Sequence, residues 1–229
     1  MNIVAVFVTL IAISVMYWTW SHGRQLAREK FIRTYMFPPG LLEKFAKQQP
    51  QLALKDKHLV ARALRQFFLA HLKSGRKFVS MPSQVVDDLW HEFILYTRHY
   101  QQFCSKAFGQ FLHHTPAVVL SASRQDNTGL RRTWWYACLE ENINPRTPTR
   151  LPLLFAIDSK LYIPHGFTYA LDCTKKSKDG TSSPYCSGDF SSSSFDGSTD
   201  GFGDSVFSSS ADGGGDSGGG GCGGGCGGD

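Results

Sequence analysis

Several motifs that would assign a chemistry at once are missing from this sequence. It has no CxxC pair, although six cysteines occur, at positions 104, 138, 173, 186, 222 and 226. Standard zinc knuckles and thioredoxin-type redox motifs are therefore excluded. The sequence also has no phosphate-binding glycine loop and no CxxCH haem-attachment motif, so no nucleotide-dependent or haem-dependent activity is indicated.

Positive charge is missing from the C-terminal part of the chain. Residues 187–229 contain seven aspartates and neither lysine nor arginine, and since the whole chain carries a formal charge of +5, the preceding residues carry +12. A basic body of this kind suits anionic lipid, nucleic acid or the chain's own acidic tail. Because an apolar segment opens the sequence, we interpret the charge as membrane-proximal and expect no specific nucleic-acid partner.

The opening segment has few polar side chains. Residues 3–20 are apolar apart from two threonines and one serine, and as a helix they would extend about 27 Å, close to the thickness of a hydrocarbon core. A cleaved signal peptide normally has a basic start and small residues before its cleavage site. Here no basic side chain precedes Ile3, and the segment ends in Trp18 and Trp20, which suit an interfacial belt. We therefore predict a single transmembrane anchor over residues 1–21, in contact with membrane lipid.

Basic residues after the anchor predict its orientation. Arg24, Arg28, Lys30 and Arg33 follow the apolar run, and no basic side chain precedes it. The positive-inside rule then places the body in the cytoplasm, where its cysteines would stay reduced. We expect residues 24–37 to form a separate short amphipathic helix on the membrane surface.

The composition changes again near residue 174. Seventeen of the 23 glycines lie in residues 174–229, among serine and aspartate. Such a segment buries too little apolar surface to offset the entropy of ordering it, so we predict a disordered tail. The tail ends in GGGGCGGGCGGD, in which Cys222 and Cys226 lack any side-chain protection. These two cysteines suit a soft metal, a disulfide or a covalent modification, and their spacing favours none of the three.

Between anchor and tail, residues 22–173 carry a helical pattern. The predicted fold is all-α: a small helical bundle after a single N-terminal transmembrane helix, with a disordered Gly/Ser/Asp-rich tail. The predicted helices cover residues 41–48, 56–74, 83–108 and 128–141, with a further short helix at 151–157 and a loop or one irregular strand at 162–173. Asp56 is the expected cap of the second of these helices, and Asp126 or Asn127 that of the fourth.

The segment 83–115 has the densest aromatic content, and we expect the bundle to be organised around it. Apolar residues recur every three or four positions, Ser83 is a suitable N-cap, and Gly109 suits a C-terminal stop. No glycine or proline interrupts residues 83–108, which predicts one unbroken helix of roughly 39 Å.

Polar residues on the edge of this helix form the one candidate site. Asp87 and Asp88 lie four and three residues before His91, within reach of its imidazole. If the chain turns after Gly109, His113 and His114 return toward the same helix. A divalent transition metal, such as zinc, held by Asp87, Asp88, His91, His113 and His114 is one interpretation, and plain structural hydrogen bonding is the other.

Cys104 fits this site poorly. It lies thirteen residues beyond His91, or about 20 Å along an ideal helix, so one metal cannot reach both. Its position on the apolar line indicates core packing, with a Cys–His nucleophilic pair as the third chemical option.

The series Val86-Asp87-Asp88-Leu89-Trp90-His91, followed by Tyr100, Cys104, Phe108-Gly109 and His113-His114, resembles a known pattern. It is similar to bacterial membrane-anchored proteins called glycine-rich domain-containing proteins. It is more distantly similar to plant glycine-rich domain proteins, which share D-x-x-W-H, then Y, C, G and H. The resemblance covers residues 59–115, with weaker support at 131–134 and 151–155. It implies no reaction, and the plant proteins have further domains that this chain lacks.

Two functions follow as hypotheses. The first is a non-enzymatic, membrane-anchored adaptor or scaffold that binds a protein partner through its helical body and uses the tail as a tether or modification substrate. The alternative is a metal-binding domain, hydrolytic or redox-active, centred on Asp87 and His91.

Overall fold

The structure is a computed structural model that describes residues 3–114, 128–171 and 185–186. Its helices are α1 (Ile3–Thr34), α2 (Leu41–Gln48), α3 (Leu54–Lys73), α4 (Gln84–Leu95), α5 (Thr97–Phe108), α6 (Thr128–Glu140) and α7 (Leu153–Lys160). Strands β1 (Tyr169–Ala170) and β2 (Tyr185–Cys186) pair in parallel, with Tyr169 opposite Tyr185. The predicted all-α class is confirmed.

Helix α1 runs without a break from the apolar segment into the body of the protein. The prediction of a separate amphipathic helix over residues 24–37 is therefore wrong. Near its start the side chains are open to the surroundings, with Phe7, Ile11 and Trp18 all more than 60% exposed, whereas Ile32 near its end is fully buried. The helix is long and apolar enough to cross a bilayer, a property that signal sequences near an N-terminus share.

The central helix of the bundle is α3, and not the segment 83–108 as predicted. It packs against α1, α4, α6 and α7. It begins at Leu54, where the Asp56 carboxylate accepts a hydrogen bond from the backbone N–H of Ala53 at 3.2 Å. Asp56 thus lies in the first turn rather than at the predicted cap position. Gly75, at φ +72°, follows the end of the helix.

The long helix predicted over residues 83–108 is also wrong, because the chain breaks at Tyr96. On a straight helix Phe93 and Phe103 would lie about 15 Å apart. In the structure their ring centroids are 5.5 Å apart, and both rings also contact Tyr35, which follows α1. The break therefore lets two successive helices place aromatic side chains in one cluster, and the burial of these large rings stabilises it.

Buried side chains cap the N-termini of α4 and α7. Ser83 caps α4 as predicted, since its hydroxyl accepts a hydrogen bond from the backbone N–H of Val86 at 3.3 Å. The buried carboxylate of Asp158 accepts hydrogen bonds from Ser83 Oγ at 2.6 Å and from the backbone N–H of Gln84 at 2.7 Å. Gln66 and Glu141 accept hydrogen bonds from the first backbone N–H groups of α7. These bonds satisfy donors that a helix start leaves unpaired.

A cluster of four charged side chains fastens α1 to the bundle. Glu140 on α6 pairs with Arg33 of α1 and, at 3.0 Å, with Lys73 of α3. Glu29 of α1 lies 3.6 Å from Lys73 and 3.8 Å from Arg33. Burial alone would raise the pKa of Glu140, but the hydrogen bonds from Arg33 and Lys73 outweigh it and lower the pKa overall. The carboxylate is therefore held in its charged form, as the ion pairs require.

The remaining expectations fall partly outside the described residues. The short helix predicted at 151–157 is present as α7, slightly later in the chain, and the irregular segment after it contains β1. Tyr185–Cys186 form β2, although they lie in the segment predicted to be disordered. The rest of that segment, including Cys222 and Cys226, and the predicted caps Asp126 and Asn127 lie outside the described residues.

Candidate metal centre

Helix α4 presents an aspartate and a histidine on one face. Asp87 and His91 are one helical turn apart, and Asp87 Oδ2 lies 3.7 Å from His91 Nδ1. The aspartate is buried, whereas the side chain of His91 is half exposed. The pair therefore has one fixed member and one member that is open to solvent and free to adjust.

The chain after α5 turns back toward this face. Gly109, at φ +76°, provides the left-handed residue that ends α5. Residues 110–114 then follow an irregular path, which the Tyr100 hydroxyl fixes by donating a hydrogen bond to the backbone carbonyl of Leu112 at 2.6 Å. The indole N–H of Trp90 donates in turn to the Tyr100 oxygen at 3.2 Å. Helices α4 and α5 thus both position the returning segment.

This return brings His114 to Asp87 and His91. His114 Nε2 lies at hydrogen-bond distance, 2.8 Å, from Asp87 Oδ1, and the ring centroids of His114 and His91 are 4.2 Å apart. The edge of Trp90 packs on the His114 ring, with centroids 4.5 Å apart. One potential ligand atom from each of Asp87, His91 and His114 lies within 4.8 Å of the others.

A family model matches residues 27–190, well over half of the 229-residue chain. The chain belongs to the UCP032817-like family. The matched region contains the whole cluster of Asp87, His91 and His114, and it excludes both the exposed start of α1 and the glycine-rich end of the chain. No curated protein and no solved structure matches the chain.

Two of the five predicted site residues of this UCP032817-like domain lie elsewhere. Asp88 accepts hydrogen bonds from Gln84 and Gln49, both at 3.0 Å, on a different side of α4. The exposed His113 ring packs beside Phe111, with centroids 4.9 Å apart. Of the predicted set, the structure therefore gathers Asp87, His91 and His114.

The environment of Asp88 also suits a structural role. Burial raises the pKa of this carboxyl, and the hydrogen bonds from Gln84 and Gln49 oppose that effect without cancelling it. Each carboxylate oxygen already accepts one of these two bonds. Asp88 thus joins α4 to the segment after α2 through these two bonds.

Cys104 does not take part in the cluster and does not suit a nucleophile. It is 1% exposed, and burial raises its pKa, although contacts with the Leu112 backbone and with Tyr100 act in the opposite direction. Burial also raises the pKa of Tyr100, so its hydroxyl stays protonated and remains a donor. A nucleophilic cysteine needs the reverse, a lowered pKa and an exposed thiol. The prediction of core packing for Cys104 agrees with this burial.

The structure assigns roles that residue spacing alone did not. Trp90, Tyr100 and Gly109 act together to return His114 to α4, through two hydrogen bonds and one left-handed residue. At helical spacing both aromatics fall on the apolar line of the segment 83–115. The available signal was the order in which Trp90, Tyr100, Gly109 and His114 follow one another, because the return of the chain requires all of these residues.

Proposed function

We propose that this chain is a membrane-anchored protein whose helical body binds a divalent transition metal through Asp87, His91 and His114. The observation that carries the proposal is the convergence of two imidazoles and one carboxylate from α4 and the segment after α5. Two histidines and one carboxylate form the protein ligand set of many zinc hydrolases and of non-haem iron sites.

The distances support a site that a metal would complete with small movements. A tetrahedral zinc with bonds of about 2.0–2.2 Å holds its ligand atoms roughly 3.3–3.5 Å apart. Asp87 Oδ1 and His114 Nε2 are now 2.8 Å apart, and Asp87 Oδ2 and His91 Nδ1 are 3.7 Å apart. These two separations end on different Asp87 oxygens, and a set with one ligand atom from each residue lies within 4.8 Å, so a metal would draw the ligand atoms together by up to about 1.4 Å.

The exposure of the cluster indicates what such a metal would do. Three protein ligands leave at least one coordination position for water or substrate, which distinguishes catalytic from structural zinc sites. His91 places that position on the protein surface, since its side chain is 51% exposed. A metal held here would polarise a bound water or substrate oxygen, which favours hydrolytic or redox chemistry over a purely structural role.

The anchor and its orientation belong to the same proposal. Support for a transmembrane segment comes from the large apolar side chains on every side of the start of α1, which have no packing partner in the described protein. Arg24, Arg28 and Arg33 after this segment favour a cytoplasmic body. The series that includes Trp90 and Tyr100 further supports a relationship with the glycine-rich domain-containing proteins.

Metal analysis of the full chain tests the metal site. The chain is purified in neutral detergent, loaded with Zn²⁺, passed over a desalting column and measured by elemental mass spectrometry. Because Cys222 and Cys226 also have metal-binding chemistry, all variants carry C222S and C226S. We expect about one zinc per chain, lost in H91A and in H114A.

His113 provides the matched control. It is a histidine next to His114, but it lies outside the cluster, so H113A removes an imidazole without removing a ligand. Metal retained in H113A and lost in H114A supports the site. No metal in the parent chain, or equal metal in both variants, rules it out.

A non-enzymatic adaptor is the second candidate. The observation that favours it is the charged cluster that fastens α1 to α3 and α6, because it holds the body at a fixed angle to the anchor, as presentation to a protein partner requires. The same metal analysis separates the candidates. A folded chain that binds no metal leaves the adaptor as the better account.

A further inference from the structure

A cavity of about 290 Å³ lies where α1 leaves the bundle, and Asp87, His91 and His114 are not among the residues that line it. The α1 side chains that line it are aromatic at one level, with Tyr17 and Trp20, and basic further along, with Arg24 and Arg28. Arg76, just after α3, closes the other side. The cavity thus joins an aromatic floor to three guanidinium groups.

The three arginines have no acidic partner in the described part of the chain. Among the residues that the structure describes, none of Arg24, Arg28 and Arg76 lies within ion-pair distance of a carboxylate, whereas Arg33 pairs with both Glu29 and Glu140. Arg24 and Arg76 are close enough for their charges to act on that of Arg28. Three mutually repelling cations around one cavity form a site of unbalanced positive charge.

Contacts within the protein use only part of the donor capacity of these groups. Arg76 donates one hydrogen bond to the carbonyl of Phe108, at the C-terminus of α5, and Arg24 stacks over the Trp20 ring at 4.6 Å. A guanidinium carries five N–H donors in a planar fork that matches the oxygens of a phosphate. Most donors of the three side chains therefore remain for a ligand.

The backbone at Arg76 is unusual for an arginine. Its φ of +62° lies in the left-handed region, directly after Gly75 at φ +72°. A glycine would adopt this conformation without strain, so the sequence has a strained, charged residue where an unstrained neutral one would fit. Strain of this kind is concentrated at functional sites.

The height of the cavity along α1 identifies the source of the anion. Arg24 and Arg28 follow Trp20 by four and eight residues, or about 6 and 12 Å along the helix. The headgroup layer beyond the hydrocarbon core is about 5–8 Å thick on each side. Long arginine side chains reach back toward the interface, which brings the guanidinium groups of Arg24 and Arg28 to the level of lipid phosphates. Arg76 lines the same cavity as these two side chains.

We propose that this cavity binds the phosphate group of an anionic phospholipid through Arg24, Arg28 and Arg76, with the acyl chains along Tyr17 and Trp20. The proposal rests on the membrane span proposed above and is independent of the metal site. The lipid would fill the angle between α1 and the C-terminus of α3 and neutralise the charge gathered there.

Native mass spectrometry of the full chain in neutral detergent tests the site. Phosphatidylglycerol or phosphatidylcholine is added at equal concentration, and the fraction of protein ions that retain one lipid is measured. We expect about tenfold preference for phosphatidylglycerol, lost in the double variant R28Q and R76Q. R98Q is the control for the loss of one positive charge, because exposed Arg98 lies at the other end of α5, about 15 Å from Phe108, whose carbonyl Arg76 contacts.

A single variant, R24Q, and a competition with inorganic phosphate complete the test. R24Q changes an exposed side chain and so tests the site even if the double variant fails to fold. Equal retention of both lipids, or equal loss in R98Q and R24Q, overturns the proposal. Displacement of the lipid by an equal concentration of inorganic phosphate shows a site for free phosphate and overturns the lipid assignment.

Carbonate extraction of cell membranes separates this proposal from the anchor on which it rests. The wild-type chain and all arginine variants should remain in the membrane pellet, since the apolar segment decides insertion. Extraction of every form refutes the span, and the lipid site with it. Pelleting of every form without a lipid preference refutes the lipid site alone.

Discussion

His71, on α3, should make the protein less stable in mild acid. Its side chain is 4% exposed, and its Nδ1 lies 3.1 Å from the backbone carbonyl of Lys77. A carbonyl only accepts, so Nδ1 carries the proton. Nε2 has no hydrogen-bond partner in the part of the chain that the structure describes. A second proton would therefore be placed in a buried position with no acceptor.

Burial lowers the pKa of His71 from 6.5 to about 4; the bond to the Lys77 carbonyl opposes this shift, and the charge of Arg76 adds to it. Between these two values the unfolded chain binds the proton more readily, so the free energy of unfolding decreases as the pH falls. The difference between 6.5 and about 4 corresponds to roughly 3 kcal/mol, most of which should be lost between pH 7.5 and pH 4.5.

Urea unfolding of the full chain in neutral detergent, followed by tryptophan fluorescence, measures this loss. H71N keeps a donor for the Lys77 carbonyl but does not titrate, so over that interval its free energy of unfolding should fall by roughly 2–3 kcal/mol less than that of the wild type. His58 lies on the same helix and is exposed, and H58N should match the wild type. Parallel pH curves for the wild type and H71N would refute the reasoning.

Two further substitutions test the supports of the candidate site. D158A leaves the first donors of α4 without their acceptor and should lower the free energy of unfolding by roughly 2–4 kcal/mol in the same urea assay. The control S159A changes an exposed neighbour and should alter the stability little. Equal effects of the two substitutions would contradict the capping role of Asp158. G109A forces a side chain into a left-handed position and should cost about 1–2 kcal/mol and weaken zinc binding. G23A, within α1 and with open space around it, should leave zinc binding unchanged and, as a glycine-to-alanine change inside a helix, should not lower the stability. Unchanged zinc affinity in G109A would contradict the role of this turn in positioning His114.

Local signals predicted the parts of the fold that depend on neighbours in the sequence. Helix α2 has the predicted bounds, Ser83 caps α4, and Gly109 ends α5. Each of these features follows from backbone donors or from a left-handed residue, both of which short spacings reveal. The position of α3 at the centre is different, because it depends on which faces of four other helices meet.

The break at Tyr96 illustrates what spacing cannot provide. The apolar line continues across it, and no glycine or proline marks it. Its cause is distant in sequence, since Phe93 and Phe103 converge on Tyr35, at the end of the α1 segment. The sequence thus reveals the aromatic residues, but it does not reveal that Tyr35 is the partner of both Phe93 and Phe103.

The candidate site was predicted in composition and not in detail. Asp87 and Asp88 both lie at helical spacing from His91, and the partners of Asp88, notably Gln49 from the segment after α2, decide which one faces the histidine. In the same way, His113 and His114 are adjacent, and the bond between Tyr100 and Leu112 sets which ring turns inward. Both choices depend on contacts between elements, which one sequence does not reveal.

The continuity of α1 fixes the rotation of the helical bundle relative to the apolar start of the same helix. No loop interrupts the helix between Trp20 and Arg33. Near its C-terminal end, Arg33 pairs with Glu140, and Glu29 pairs with Lys73. Inserting a single residue in that interval would rotate the bundle by about 100° about the axis of α1 and shift it by about 1.5 Å along that axis. The direction in which the histidine cluster faces, relative to the apolar start of α1, therefore depends on the number of residues between Trp20 and Arg33.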